Sequence, residues 1–549
     1  MSIEDLSVEI ESQHSARQLL RHVNLHVPQG KVLGLVGESG SGKSLTALAI
    51  MGMLPTSPRF LVDGTIRFQG EDLTAATQAR LRQLRGSDIA LIGQDPMASF
   101  NPSMRIGQQI SEPLVIHRGW SRRQARHEAI DLLERVGVRQ PYEMVDAFPH
   151  EFSGGMLQRA AIAMAIGTSP SLILADEPTT ALDVSVQDRI IRLLRKLCDE
   201  DGLSMLFISH DINVVASIAN DLAVMRHGEV LEAGPVRSVL TAPARDYTKE
   251  LLDAVPEMDG PSLARRRFTP AGELEPRHKR EPADLLRVED LKVQYRLPNS
   301  QLFSKRYKLA LDGISFDVKQ GEILGIVGES GSGKSTTARS VVRLLAPKRG
   351  RIMFEGVDLL ALSPRRMRRV GTRIQMVFQD PFSSLNPFRT VRRTLDAVLR
   401  GQSRQSRKDR DERIEDVLTA VGLGPEFFDR YPHELSGGQR QRLGIARALI
   451  LQPDVVILDE ALSALDVSVQ AHVLDLLVRL QAERNLTYLF VSHDLATVKS
   501  VCDRVIVMNA GEIVEQGPTA EVFGNPQNSY TRLLLEAIPN AASEMKRLS

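Results

Sequence analysis

The stretch KVLGLVGESGSGKSLTALAI (31–50) decides the fold, and the chain writes it twice: EILGIVGESGSGKSTTARSV occupies 322–341. Each copy begins as a short apolar run, turns through a glycine-rich loop and continues into helix-forming residues. GESGSGKS itself fills 37–44 and 328–335. A glycine loop between strand and helix exposes successive backbone N–H groups, backed by the positive end of the helix, and these cradle phosphate oxygens. Side chains beyond Cβ would block that approach, so Gly37, Gly40 and Gly42, and likewise Gly328, Gly331 and Gly333, are needed as glycines. Lys43 and Lys334 supply a mobile charge for the β and γ phosphates of a nucleotide, and the Ser44 and Ser335 hydroxyls supply Mg²⁺ ligands.

The repetition extends beyond the loop. SGGM (153–156) returns as SGGQ (436–439), LILADE (172–177) as VILDE (456–460), and SHD (209–211) as SHD (492–494). Ser153 and Ser436, Glu177 and Glu460, His210 and His493 are each 283 residues apart. One constant offset means duplicated domains. We expect a first domain over 1–254, a linker over 255–284 and a second domain over 285–549. The connector is rich in proline, arginine and glutamate, a composition that favours an extended, solvated segment.

Near-continuous apolar runs, LILAD and SMLFISH in one half and VVILD and TYLFVSH in the other, alternate with helical patterns and predict a buried parallel sheet. Residues 95–152 and 380–435 are polar and arginine-rich, and read as an inserted helical subdomain. Asp176 and Asp459 end apolar strands, at the sheet edge where ligands bind in open α/β folds. There they serve Mg²⁺, while the adjacent Glu177 and Glu460 are better placed to polarise an attacking water. His210 and His493 recur at strand ends between Ser and Asp, which favours contact with the γ phosphate. Gln94 and Gln379, taken singly, read as loop residues.

The bulk numbers narrow the class. A formal net charge of +1 gives no global field for nucleic acid. Two distant cysteines, Cys198 and Cys502, make neither a disulfide framework nor a four-ligand metal site. The N-terminal MSIEDLSVEI lacks a basic segment followed by an apolar core, so no secretory leader is expected. No run approaches 18 apolar residues, so any membrane role would come through a partner.

With these residues in place, both halves resemble the ABC-type ATPases. SGGM followed by LQRAAIAMAIG, and SGGQ followed by RQRLGIARALI, resemble that family's signature loop and the helix it opens. The resemblance implies an α/β fold of two tandem P-loop NTPase domains, each a mainly parallel β core with an inserted helical subdomain and an antiparallel β part. It makes Gln94 and Gln379 the glutamines that sense Mg²⁺ and nucleotide. It makes Glu177 and Glu460 the catalytic bases, Asp183 and Asp466 the D-loop residues, and His210 and His493 the switch histidines. It also implies that Ser153, Gly154, Gly155 and Met156 complete the site of Lys334, and that Ser436, Gly437, Gly438 and Gln439 complete the site of Lys43. Two departures stand out. Met156 replaces the usual glutamine, and Ile10 stands where Tyr295, resembling the aromatic that stacks on adenine, stands in the second repeat.

Finer marks resemble the oligopeptide and dipeptide importer branch: DPMASFNPSMRIG (95–107), DPFSSLNPFRTV (380–391), and the tails ARDYTKELLDAVP (244–256) and QNSYTRLLLEAIP (527–539). The implied role is the ATPase of a peptide importer, using ATP and Mg²⁺. The implied partners are two integral-membrane permeases and, indirectly, a periplasmic or extracellular solute-binding protein, with no nucleic acid. The implied place is the cytoplasmic face of a bacterial inner membrane. The alternative is a soluble tandem ATPase acting on ribosomes. That class carries a long charged helical arm between its halves, which a connector broken by Pro261, Pro270, Pro276 and Pro282 cannot form.

Overall fold

The computed structural model describes residues 1–11, 16–180, 182–255, 284–296, 307–380, 384–401, 406–463 and 465–538. Residues 256–283 of the expected linker lie outside that set. The described chain falls into two compact units, one containing Met1–Leu182 and Val186–Ala254, the other reaching to Ile538.

In the first unit, β1 (Ser2–Glu11), β2 (Ala16–His26), β4 (Phe60–Phe68) and β5 (Glu71–Asp72) form an antiparallel sheet in the order β2-β1-β4-β5. The other sheet has the order β10-β9-β3-β8-β7-β6. It contains β3 (Val32–Val36), β6 (Ile89–Ile92), β7 (Leu172–Asp176), β8 (Ser204–Ser209), β9 (Asp221–Arg226) and β10 (Glu229–Pro235). All its pairings are parallel except β9 with β10. Every residue of β3 is buried, which is why VLGLV reads as unbroken apolar sequence: a parallel strand covered on both faces has no polar side to show.

The second unit repeats this design. β11 (Asp284–Arg296), β12 (Tyr307–Lys319), β14 (Arg349–Phe354) and β15 (Val357–Asp358) take the order β12-β11-β14-β15. The other six are β13 (Ile323–Val327), β16 (Ile374–Val377), β17 (Val455–Asp459), β18 (Thr487–Val491), β19 (Arg504–Asn509) and β20 (Glu512–Pro518). They stand in the order β16-β17-β18-β13-β19-β20.

The predicted helical insertions are present. Helices Ile106–Arg118 and Arg122–Arg135 in the first unit correspond to Val391–Arg400 and Arg407–Ala420 in the second. Arginine-rich as it is, Arg407–Ala420 forms because Ser406 and Asp409 close a reciprocal capping box and Ile414, Val417 and Leu418 gather on one buried face. In both sheets the strand behind the glycine loop (β3, β13) neighbours the strand before the histidine (β8, β18). That strand in turn neighbours the one ending in acid (β7, β17). Sheet order therefore collects residues far apart in sequence at one carboxyl edge.

Candidate functional site

Each glycine loop opens a helix, Lys43–Ile50 or Lys334–Val341. The helix follows a glycine, Gly42 or Gly333, at φ +107°, where a Cβ would meet a leucine methyl of the neighbouring antiparallel sheet at 2.5 or 2.7 Å. Lys43 and Lys334 are each 4% exposed. Their ammonium groups fold back over the loop: Lys43 Nζ donates to the Gly37 and Glu38 carbonyls at 2.7 and 2.9 Å, and Lys334 Nζ to those of Gly328 and Glu329 at 2.7 and 3.0 Å. Burial pulls the Lys334 ammonium below its ordinary range, with the nearby Glu460 charge opposing that.

The hydroxyls and strand-end aspartates meet. Ser44 Oγ donates to Asp176 Oδ1 at 3.0 Å, and Ser335 Oγ to Asp459 Oδ1 at 2.8 Å. Burial pushes both aspartate carboxyls up. Asp459 is 1% exposed, and its Oδ2 accepts no hydrogen bond among the described residues, with Arg339 Nε 3.7 Å away. A buried carboxylate oxygen that accepts no hydrogen bond is costly. A serine hydroxyl and a carboxylate are hard oxygen donors of the kind Mg²⁺ takes, so the serine–aspartate pair fits that ion in both halves, and the Asp459 Oδ2 without a hydrogen bond adds to the fit in the second.

The glutamates one residue on form the hub. Glu177 and Glu460 have φ of +49° and +48°, a left-handed backbone that is uncommon outside glycine and turns each side chain off its strand. Glu177 Oε2 collects three partners: Gln94 Nε2 at 3.1 Å, Thr180 Oγ1 at 2.8 Å and His210 Nδ1 at 3.2 Å. Glu460 Oε2 meets Gln379 Nε2 at 2.9 Å and His493 Nδ1 at 3.6 Å, while Lys334 Nζ lies 3.9 Å from its Oε1. Burial would raise the Glu177 carboxyl, but its bond and charge interaction with His210, with Thr180 and Lys43, outweigh burial and hold it below its ordinary range. At Glu460 the His493 bond is the largest influence and wins against burial. Both side chains are therefore carboxylates at neutral pH.

His493 moves the other way: burial would lower it, but Glu460 raises it above 6.5. A raised histidine contributes stability that is full below its unfolded value, near 6.5, and disappears as pH climbs through the folded value. The depressed Glu460 contributes above its unfolded value, near 4.5, and loses that contribution as pH falls through the folded one. The pair therefore stabilises the folded chain most between those two limits. Melting wild type and His493→Gln across pH 5–8 should show the widest Tm gap near the acid end, closing toward pH 8. A gap of constant size would mean the pair is not charged.

The signature residues occupy a separate position in each half, at the start of a helix. Ser153 caps Gly154–Ile166 by accepting from Met156 N at 3.4 Å. Ser436 caps Gly437–Leu449 by accepting from Gln439 N at 3.3 Å, and Gln439 Oε1 in turn accepts from Ser436 N at 2.9 Å. Only the second helix has the reciprocal bond, because the Met156 side chain offers no oxygen for it. Gly155 and Gly438 run against Val186 and Val469, whose methyls a Cβ would meet at 2.6 and 2.4 Å. Asp183 and Asp466 directly precede the helices Val184–Asp201 and Val467–Arg484. Tyr295 is 40% exposed near the end of β11, its phenol 3.2 Å from Thr336 Oγ1, beside Ser335. Ile10 takes the matching place in β1.

The sequence reading missed Thr180, which only its bond to Glu177 singles out, and Arg339, one helical turn beyond Ser335. A hydroxyl three residues after a strand-end glutamate was the available signal for the first; none marked the second.

Comparison with known proteins gives the family. The family model described as ABC transporter matches residues 20–180 and 311–463. A second, described as oligopeptide/dipeptide transporter, C-terminal region, matches 231–280 and 514–549, once in each half. The chain is 45% identical over 540 residues to the ABC transporter ATP-binding protein YejF of Escherichia coli, covering 97% of this chain and 98% of that one. It is 43% identical over 554 residues to the peptidoglycan transport ATP-binding protein YejF of Agrobacterium fabrum, covering 100% and 98%. It is 42% identical over 559 residues to the glutathione import ATP-binding protein GsiA of Salmonella paratyphi A, covering 98% and 90%.

Proposed function

The chain belongs to the ABC transporter family as a double ATP-binding protein, and from that premise we propose that its two halves hydrolyse ATP to drive import of peptides or peptide-like solutes through separate membrane subunits. The observation that carries this reading is the doubled, undegraded constellation of loop lysine, serine–aspartate pair and glutamate hub. The oligopeptide/dipeptide C-terminal match on both halves sets the branch. Relatives named for peptidoglycan and glutathione transport point to solutes with peptide bonds.

In each site the loop N–H groups bind the phosphates, and Lys43 or Lys334 exchanges its two carbonyl partners for phosphate oxygens. Ser44, Gln94 and Asp176, and Ser335, Gln379 and Asp459, would hold Mg²⁺, which when bound neutralises charge developing between the β and γ phosphates. Glu177 and Glu460 accept the proton of the attacking water. His210 and His493 shift from glutamate toward the γ phosphate, and Gln94 and Gln379 release the glutamate as they turn to the nucleotide. Ser436, Gly437, Gly438 and Gln439 serve the Lys43 site, and Ser153, Gly154, Gly155 and Met156 the Lys334 site, so that ATP draws the halves together with Asp183 and Asp466 beside it. That division of labour is supported by the resemblance of SGGM and SGGQ to the family signature.

Tyr295 stacks on adenine in the second site, and Ile10 leaves the first without a ring. Tyr295→Ala should weaken nucleotide binding by about 1–3 kcal/mol, by analogy with base stacking, and Ile10→Tyr should strengthen the first site. Titration with a fluorescent ATP analogue checks both; an Ile10→Tyr chain no tighter than wild type would exclude the stacking assignment.

No helix among the described residues is long and apolar enough to cross a membrane. Relatives named for peptidoglycan transport and glutathione import support a place at the cytoplasmic face of the inner membrane, working through two permeases fed by a solute-binding protein. Co-purification with membrane proteins encoded beside it tests this: two permeases should come with the chain and stimulate its ATPase. Recovery with ribosomes would favour the translation alternative.

A further inference from the structure

The tail helix Ser529–Glu536 belongs to the region that marks the peptide-transporter branch, and the chemistry described so far gives it no task. Its start is firmly set. Glu515 of β20 accepts from the backbone N–H groups of Gln527 and Asn528 at 2.8 and 3.1 Å, and Asn528 Oδ1 caps Tyr530 N at 2.8 Å. Thr531 and Leu534 bury the inner face of the helix. So placed, the Tyr530 phenol oxygen accepts the backbone N–H of Glu329, inside the second glycine loop, at 3.2 Å.

The Glu329 residue is a junction. Its carbonyl accepts from Ser332 N at 3.0 Å and from Lys334 Nζ at 3.0 Å. Tyr530 thus grips one side of the residue that closes the loop's first turn and parks its lysine. Burial pushes the phenol up to about 12, so it stays protonated at any working pH and remains a neutral acceptor for this N–H.

In the first half the tail is anchored in the same way, with Glu232 accepting from Ala244 N and Arg245 N at 2.8 and 3.3 Å. There the corresponding Tyr247 has its ring 4.3 Å from the Arg226 guanidinium, a cation–π contact. Asn509 fills the place of Arg226 in the second half. A planar amide carries no cation to hold the ring.

We propose that Tyr530 is a positioning residue for ATP in the second half: the branch-specific tail braces the glycine loop through the Glu329 N–H and pre-organises it for phosphate. The proposal rests on that loop being an ATP site. A neutral hydrogen bond contributes about 0.5–1.5 kcal/mol. Tyr530→Phe, which keeps the ring and its packing, should therefore weaken nucleotide binding at the second site about 2- to 12-fold.

The test uses the full chain with Lys43→Ala, so that the second site dominates the signal. Binding of a fluorescent ATP analogue and steady-state ATPase are compared with and without Tyr530→Phe, and with Asn509→Arg. The expected result is a raised Kd and KM with kcat held, because a brace acts on loop occupancy and not on the glutamate. Asn509→Arg should reproduce the effect by drawing the ring toward the new cation. Unchanged KM, or a fall in kcat alone as misfolding would give, overturns the brace. If the Lys43→Ala chain binds no nucleotide at all, the second site itself is refuted, a failure plainly different from binding that ignores Tyr530.

Discussion

A chain carrying Glu177→Gln and Glu460→Gln together should hydrolyse ATP about 10²–10⁴ times more slowly than wild type while still binding it. Glutamine has nearly the size of glutamate and keeps an amide oxygen to accept from Gln94 and Thr180 in one site and from Gln379 in the other. The hub's packing is therefore spared. What disappears is the capacity to take a proton. His210 and His493 hold the native carboxyls below their ordinary range, so in the wild-type chain that capacity is fully present at neutral pH. Steady-state phosphate release measures the loss, and ATP retention on a filter measures the binding. Wild-type turnover in the double variant would remove both glutamates from the chemistry.

The second large effect is expected from a single methyl group. Gly37→Ala and Gly328→Ala should each cost about 1–3 kcal/mol of stability, as overpacking does, and take nucleotide binding at that site with it. A Cβ at Gly37 would lie 2.1 Å from the Met225 carbonyl oxygen, and at Gly328 2.2 Å from that of Met508. Both obstacles are backbone, next to the last residue of β9 and β19, interior strands whose residues there pair with β10 and β20 and have little room to retreat. The loop must move instead, and Gly37 and Gly328 supply carbonyls that hold Lys43 and Lys334. Thermal melting and titration with an ATP analogue check this. Native stability together with native affinity in either variant would mean that the close approach has no consequence.

Much of this site was legible in the sequence because its parts are local. The glycine loop, its lysine and its serine lie within eight residues, and their chemistry follows from spacing alone. The acids announce themselves at the ends of apolar strands. The two sheets were less legible. That β3 sits between β8 and β9, with β7 next to β8, follows from packing and not from any one segment.

The Glu177 and Glu460 hub was hidden for a different reason. Gln94 and His210 lie 83 and 33 residues from Glu177, and no single-residue pattern says that both side chains end on one oxygen. Read alone, Gln94 and Gln379 were loop residues; only resemblance gave them a part, and the structure adds that each holds a glutamate. The left-handed backbone of Glu177 and Glu460 was likewise invisible, since glutamate has no preference for it. The contact of Tyr530 with Glu329 spans 201 residues, and no motif marks it.

All of this depends on both halves being working nucleotide sites. Vanadate trapping of Mg²⁺-ADP on the wild-type chain with its permeases, followed by separate trapping on Glu177→Gln and Glu460→Gln, puts that to the most direct test. Nucleotide trapped by turnover at each site in the wild type, and lost at the altered site in each single variant, is the predicted result. Trapping confined to one half under every condition would contradict it.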